Sequence, residues 1–116
     1  MVGVEAEMHE LAIAESLVEA VQARTGGQTV RSVRLQVGRL SGVVPEALMF
    51  AFELAAQGTP LEGARLVIDE PAGRLHCRTC QVDQGKDDLI LLCTCGSADV
   101  EVTAGRELAL LSVEVV

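Results

Sequence analysis

All four cysteines of the chain lie in two close pairs, Cys77 with Cys80 and Cys93 with Cys95. Each pair can present two thiolate sulfurs from one turn, and four thiolates are the ligand set of a tetrahedral structural Zn²⁺ site. The segment around them has few large apolar side chains, so the metal would supply much of its folding energy. We therefore predict a closed zinc site held by these four cysteines, which leaves no open position for a catalytic water.

Other uses of paired cysteines stay open at this point: a disulfide pair, a redox dithiol and an iron–sulfur cluster. The chain does not begin like a signal peptide, which indicates a cytoplasmic protein, where structural disulfides are rare. Neither pair has the strand-then-helix context of a thioredoxin-like motif. The second pair is Cys-x-Cys, a tighter turn than Cys-x-x-Cys. If that turn cannot aim both sulfurs at one ion, His76 is the available substitute ligand.

Composition limits the partners. The chain has 116 residues, of which 49% are hydrophobic, enough for one domain or one domain with a small insert. Its formal charge of −8 and its lack of Trp and Tyr disfavour nucleic acid, because phosphates are repelled and stacking platforms are few. Basic proteins and metal cations are favoured instead. No apolar run reaches the roughly 20 residues of a membrane span, so we expect a soluble protein.

The first half of the chain predicts a helix and then a strand. Residues 1–7 look like a loose lead-in, and from about Met8 to Arg24 apolar residues recur at three- and four-residue steps, which indicates an amphipathic helix. The glycines at 26 and 27 end it. Apolar and polar residues then alternate from Val30 to Gly38, the pattern of a half-buried strand.

The rest of the chain predicts an α+β fold. Pro45 suits the first turn of a second helix that continues to Gly58, and strands are predicted at 64–69 and at the end of the chain, from Glu107. Two helices would pack on a small three-stranded mixed sheet, with a zinc-ribbon-like segment inserted. We predict a domain of residues 1–74, completed by 105–116, and a zinc-binding domain of residues 75–104.

The remaining candidate for chemistry is His9, one of two histidines, at the predicted start of the first helix. An isolated histidine there is more often solvated or capping, and the acidic residues beside it are expected from the helix dipole alone. Imidazole is nevertheless the commonest side-chain metal ligand. Nitrogen ligands in a plane suit Ni²⁺ or Cu²⁺, whereas a thiolate cluster suits Zn²⁺, so the two candidate sites would prefer different metals.

Taken together, these motifs resemble the HypA/HybF hydrogenase nickel-incorporation proteins, over nearly the whole chain from Met8. The resemblance is carried by Met8-His-Glu-Leu11, Val37-Gly-Arg-Leu-Ser-Gly-Val43, Pro45-Glu-Ala-Leu48, Phe50-Ala-Phe-Glu-Leu54, the paired cysteines ending in Cys95-Gly-Ser97, Gly105-Arg-Glu-Leu108 and Ser112-Val-Glu114.

The resemblance implies a nickel metallochaperone that is not an enzyme. Such a protein binds Ni²⁺ through the imidazole and backbone nitrogens of the Met-His-Glu start, here Met8, His9 and Glu10. It delivers the ion to the apo large subunit of a [NiFe]-hydrogenase with a HypB-like GTPase, and similar proteins also serve urease maturation. The family's zinc cysteines correspond to Cys77, Cys80, Cys93 and Cys95. We expect a monomer or weak homodimer. The alternative is a zinc-ribbon adaptor between proteins that has no specific nickel site.

The chain departs from the family pattern in three places. Seven residues precede Met8, so either the working start is Met8 or the terminal amine is displaced and nickel affinity should fall. The second cysteine pair is one residue shorter than the family's usual spacing. A carboxylate common after the Ser-Gly turn is replaced by Val43 and Val44, which makes Glu46 the nearest acidic candidate.

Overall fold

The computed structural model describes residues 2–116, with the backbone alone for residues 2–8 and side chains from His9 onward. Within this range the helices are α1 (Val2–Thr25) and α2 (Pro45–Ala56), and the strands are β1 (Val30–Val37), β2 (Arg65–Asp69), β3 (Gly73–Cys77), β4 (Asp83–Lys86), β5 (Val100–Ala104) and β6 (Leu108–Val115). The strands form two sheets, with orders β2-β1-β6 and β4-β3-β5. The predicted α+β class, with two helices and a small mixed sheet, is confirmed.

The chain divides into two compact units. The first, which we call the helical unit, contains the residues up to Leu35, Val43–Ile68 and Leu110–Val116. The second contains Gln36–Gly42 and Asp69–Ala109 and therefore all four cysteines, and we call it the cysteine unit. That residues 75–104 form a zinc-binding domain of their own stays a prediction.

Helix α1 buries one apolar stripe, formed by Ala14, Leu17, Val18 and Val21. Its end is the predicted one: Thr25 is its last residue, and Gly26 follows with a left-handed φ of 62°. Its beginning corrects our expectation, because the helix starts at Val2 and residues 2–7 are not a loose lead-in. Ala and Glu are strong helix formers, so propagation upstream of His9 needs no apolar periodicity.

Helix α2 packs against α1 and has Pro at its first turn, as predicted. Its buried residues are Leu48, Ala51, Phe52 and Ala56, a spacing of three and four that places them on one face. The chain leaves the helix through Gly58, whose φ is 74° and whose N–H donates to the Glu62 carboxylate at 2.8 Å. No helix in the described part of the chain is long and apolar enough to cross a membrane.

The sheet of the helical unit has β1 at its centre, between β2 and β6. Val33, Leu35 and Val37 of β1 are buried, in agreement with the alternation seen in the sequence. The predicted last strand is β6, whose end is held to the start of β1 by a hydrogen bond from Val116 N–H to the Thr29 carbonyl, 3.0 Å.

The cysteine unit is built on a second, antiparallel sheet, in which β3 pairs with β4 on one side and β5 on the other. The sequence patterns predicted none of the three strands of this sheet. The four residues of β4, Asp83 to Lys86, have low β-propensity, so their strand conformation depends on pairing with β3. Leu75 on β3 is fully buried and gives this small unit part of its limited apolar core.

Candidate metal centre

The four cysteine sulfurs lie together at one end of the β4-β3-β5 sheet. All four Sγ atoms are within 4.8 Å of one another. Cys77 Sγ is 3.8 Å from Cys95 Sγ, and Cys80 Sγ is 3.5 Å from Cys93 Sγ. A tetrahedral zinc with Zn–S bonds of about 2.3 Å separates its sulfurs by about 3.8 Å. These spacings fit a four-thiolate zinc site, and they are far longer than a disulfide bond of about 2.05 Å.

The first cysteine loop follows directly from β3. The backbone N–H of Cys80 donates to Cys77 Sγ at 3.5 Å, and the N–H of Gln81 donates to the Cys77 carbonyl at 2.8 Å. The loop closes with a bond from Cys77 N–H to the Val82 carbonyl, 3.0 Å. Gln81 adopts a left-handed φ of 63°, which lets the chain reverse after the second cysteine.

The second loop repeats this pattern with one residue fewer between its cysteines. The N–H of Cys95 donates to Cys93 Sγ at 3.5 Å, and Gly96 N–H donates to the Cys93 carbonyl at 2.8 Å. Cys93 N–H donates in turn to the Ser97 carbonyl at 2.9 Å. Gly96 has a φ of 91°, a conformation that glycine adopts easily and L-residues rarely do. The short Cys-x-Cys spacing therefore still directs both sulfurs to the common centre.

The backbone donors divide the four thiols into two pairs. The N–H of Cys80 lowers the pKa of Cys77, and the N–H of Cys95 is the main cause that lowers the pKa of Cys93 to about 6. At Cys80 the N–H of Val82 favours the thiolate, but the nearby Cys93 sulfur and burial outweigh it and raise the pKa to about 12. The cluster thus holds some negative charge before any metal binds, which suits a divalent cation.

The pKa of Cys95 is also raised in the metal-free protein. The N–H of Ser97 favours its thiolate, but the Cys93 sulfur, which takes up negative charge more readily, opposes a second charge beside it. A metal ion would reverse this balance, because a coordinated thiol loses its proton outright.

His76 is engaged elsewhere. Its Nδ1 lies 2.8 Å from Asp83 Oδ1, across the β3–β4 pair. The only group of three or more metal-binding side chains found among the described residues consists of the four cysteines. The short second cysteine pair had made His76 an alternative ligand. Because the four cysteine sulfurs already lie together, the site does not need His76 in place of a cysteine.

The second candidate site lies on α1. The His9 side chain is exposed, whereas the Glu10 side chain is 1% exposed, since consecutive residues of a helix point in different directions. Oε2 of Glu10 is buried and has no hydrogen-bond partner among the described residues. The side chain of Met8, the third residue of the predicted nickel site, lies outside the described residues.

The start of α1 at Val2 also changes what the backbone offers at His9. In an α-helix each N–H donates to the carbonyl four residues earlier, and only the first few N–H groups are left without such a partner. His9 and Glu10 lie beyond these positions, so their amide nitrogens are committed to the helix ladder. In the full chain the imidazole is the accessible nitrogen of this segment.

Comparison with known proteins adds a decisive observation. The family model described as "Hydrogenase/urease nickel incorporation, metallochaperone, hypA" matches residues 8–115. The chain belongs to the HypA family. It is 46% identical over 112 residues to the hydrogenase maturation factor HypA of Streptomyces avermitilis, covering 91% of this chain and 86% of the relative. It is 47% identical over 109 residues to the factor of the same name from Chlorobaculum tepidum, covering 90% and 96%.

Solved structures agree with this assignment. The chain resembles one described as the solution structure of HypA protein, with a TM-score of 0.62, 26% identity and coverage of 94% of this chain and 97% of the other. It also shares the fold of the Ni metallochaperone HypA from Helicobacter pylori, with a TM-score of 0.60 at 24% identity. The predicted family, and with it membership of a nickel metallochaperone family with a four-cysteine cluster suited to zinc, is confirmed.

Proposed function

We propose that this HypA family member is a nickel carrier that binds Ni²⁺ at the segment Met8 to Glu10 and delivers it to the apo large subunit of a [NiFe]-hydrogenase. The observation that carries the proposal is the family match, which begins at Met8 and runs to residue 115. The exposed imidazole of His9 supports it, because a carrier must offer its ion to an acceptor. Delivery would involve a HypB-like GTPase, with urease maturation proteins as further partners, in the cytoplasm and without catalysis by the chain itself.

We further propose that Cys77, Cys80, Cys93 and Cys95 hold a structural Zn²⁺ that keeps residues 75–104 folded as a domain. The donor set supports this assignment, since four thiolates at tetrahedral spacing leave no position for water or substrate. The thiolates would neutralise the ion and hold the two loops together. A nitrogen site at the helix exchanges its metal more readily. The cysteine site would therefore stabilise the fold, and the helix site would carry the nickel that is transferred.

The state of the helix start bears on nickel affinity. Deprotonated backbone nitrogens can bind Ni²⁺ only when they are released from hydrogen bonds within the helix. In a chain that begins at Met8, the amide nitrogens of His9 and Glu10 would fall in the first turn, beside a terminal amine. We therefore expect this shorter chain to bind Ni²⁺ more tightly than the full chain.

Native mass spectrometry with Ni²⁺ titration tests the proposal. We expect one zinc in the purified protein and one added nickel, with the nickel lost in His9→Ala and retained in His76→Ala, which removes the other histidine. The thermal midpoint of His9→Ala should stay within a few degrees, because an exposed side chain contributes little packing. The chain from Met8 should bind nickel at lower concentration than the full chain.

Two results would contradict the proposal. If His9→Ala bound nickel as well as the unchanged protein in both the full and the shorter chain, the site would be elsewhere. One zinc with only non-specific nickel uptake in both chains would favour the alternative function of a zinc-ribbon adaptor between proteins.

A further inference from the structure

Helix α2 exposes an apolar surface on the side opposite its buried face. Met49, Phe50 and Leu54 are 46%, 64% and 46% exposed, and we call them the α2 patch. Phe50 and Leu54 are four residues apart and therefore lie one above the other on the helix. The chain has only two aromatic residues: Phe52 is 2% exposed in the core, and the other, Phe50, faces solvent. Exposed aromatic and aliphatic side chains grouped in this way are typical of interface cores.

The charged residues of α2 itself all have one sign. Glu46 and Glu53 are exposed on the same helix, and no Lys or Arg occurs among its residues. A depression of about 500 Å³ adjoins the helix and is lined by Glu53, Gln57 and Glu62 among others. The apolar surface is therefore bordered by carboxylates, and its occupant should carry positive charge beside apolar side chains.

This charge pattern distinguishes between possible occupants. A second copy of the chain docked through the same helix would place Glu46 and Glu53 close to their own counterparts, which is unfavourable. Anionic lipids and nucleic acids are repelled for the same reason. A helix with an apolar stripe and flanking Lys or Arg would satisfy both features, since two helices pack well through residues spaced at i and i+4.

We infer that the α2 patch is a docking site for a basic amphipathic helix of a partner protein. The surface does not include His9 or the cysteines. The inference therefore goes beyond the carrier function proposed above. Phe50 is the central anchor, because a large aromatic side chain that becomes buried contributes more than the residues around it.

A fluorescence anisotropy titration at physiological salt tests this inference. The probe is a fluorescein-labelled peptide with Leu at heptad positions a and d and Lys elsewhere. Matched peptides carry Glu in place of Lys, or Ser in place of Leu. The protein variants are Phe50→Ser, Glu53→Lys and, as a control, Leu89→Ser, which alters a side chain of similar exposure, 60%, in the cysteine unit.

We expect the Leu–Lys peptide to bind the unchanged protein and Leu89→Ser alike, and to bind Phe50→Ser and Glu53→Lys about tenfold or more weakly. The two matched peptides should not bind measurably. Amide shifts in ¹⁵N spectra should be concentrated in residues 46–57, and the thermal midpoint of Phe50→Ser should be unchanged.

Three results would overturn the inference. Equal binding to Phe50→Ser would show attraction by net charge alone, and binding of the acidic peptide would show unspecific apolar adhesion. A concentration-dependent dimer in sedimentation that Phe50→Ser abolishes would mean that a second copy covers the α2 patch.

Discussion

Glu10 is the residue whose environment is least expected from its type. Its acidic side chain is buried, and its Oε2 has no hydrogen-bond partner within the described part of the chain. A buried polar group left unsatisfied costs stability, and a charged one costs more. Any role of Glu10 in nickel binding would come from its backbone nitrogen, because its carboxylate does not face the solvent that His9 faces.

Replacement of Glu10 should therefore stabilise the fold. Glu10→Met keeps a similar side-chain length and removes the unsatisfied oxygen, so we expect the free energy of unfolding to rise by about 1–3 kcal/mol in chemical denaturation. The control is Glu15→Met, which alters an exposed residue of the same helix and should change stability by less than about 0.5 kcal/mol. A loss of stability in Glu10→Met would mean that the carboxylate has a favourable partner.

At the scale of residues, sequence predicted the four cysteines as a group because thiolates in pairs have few other uses. It could not predict the burial of Glu10, since an acidic residue in the first turns of a helix is equally compatible with solvent. Nor did it predict the left-handed φ of Gln81. A glycine at this position would have indicated such a conformation, but a glutamine does not.

Among the elements, backbone segments approach closely where three glycines of the cysteine unit meet. A side chain on Gly38 would collide with the carbonyl of Gly105, and one on Gly105 would lie 2.6 Å from Gly73 Cα. The segments are joined by hydrogen bonds from Gly38 N–H to the Glu107 carbonyl, 2.8 Å, and from Leu40 N–H to the Gly105 carbonyl, 2.6 Å. The backbones can therefore approach only because these positions lack Cβ atoms.

Gly38→Ala should be strongly destabilising. The atom that it would meet belongs to backbone and cannot rotate away, so we expect a loss of about 1–3 kcal/mol or more in the free energy of unfolding. Gly85→Ala is the control, because its Cβ would meet only the Gly73 carbonyl at an ordinary 3.9 Å. Equal thermal midpoints for the two variants would contradict this account of the crossing.

Helices and apolar strands were the elements that sequence predicted well. Apolar residues at intervals of three and four gave α1 and α2, and alternation gave β1, because one face of each is buried. The strands of the cysteine unit, β3, β4 and β5, were missed. The burial of β4 and β5 is incomplete, and their conformation follows from pairing with β3. The upstream end of α1 was also missed, because helix propensity without an apolar stripe leaves no periodic signal.

Across the whole molecule, the helical unit and the cysteine unit are each stabilised in a different way. The helical unit has an extensive apolar core that includes Val21, Leu48, Phe52 and Leu61. The cysteine unit buries few large side chains besides Leu40 and Leu75, while Leu89, Ile90 and Leu92 are exposed. Its stability should therefore depend on the metal that the sulfurs bind, and metal binding depends in turn on their protonation.

The pH dependence of zinc affinity follows from the four thiols. At pH 7 in the metal-free protein, Cys80 and Cys95 carry protons because their pKa values are raised. Cys93, with a pKa of about 6, is largely deprotonated, and the pKa of Cys77 is also lowered. Zinc must displace the protons that remain. We therefore expect its affinity to rise by at least about a hundredfold per pH unit just above neutrality, because at least the protons of Cys80 and Cys95 must be released.

Acidification should steepen this dependence. As the pH falls through about 6, Cys93 gains a proton as well, so zinc binding is lost faster and the cysteine unit loses its stability with it. Competition with a chromophoric chelator between pH 5.5 and 8 measures the slope, and far-ultraviolet circular dichroism in the same samples should show that α1 and α2 persist. A constant slope near four across this range would mean that all four thiols are protonated in the metal-free protein, and that the N–H donors of Cys80 and Cys95 do not favour the thiolates of Cys77 and Cys93.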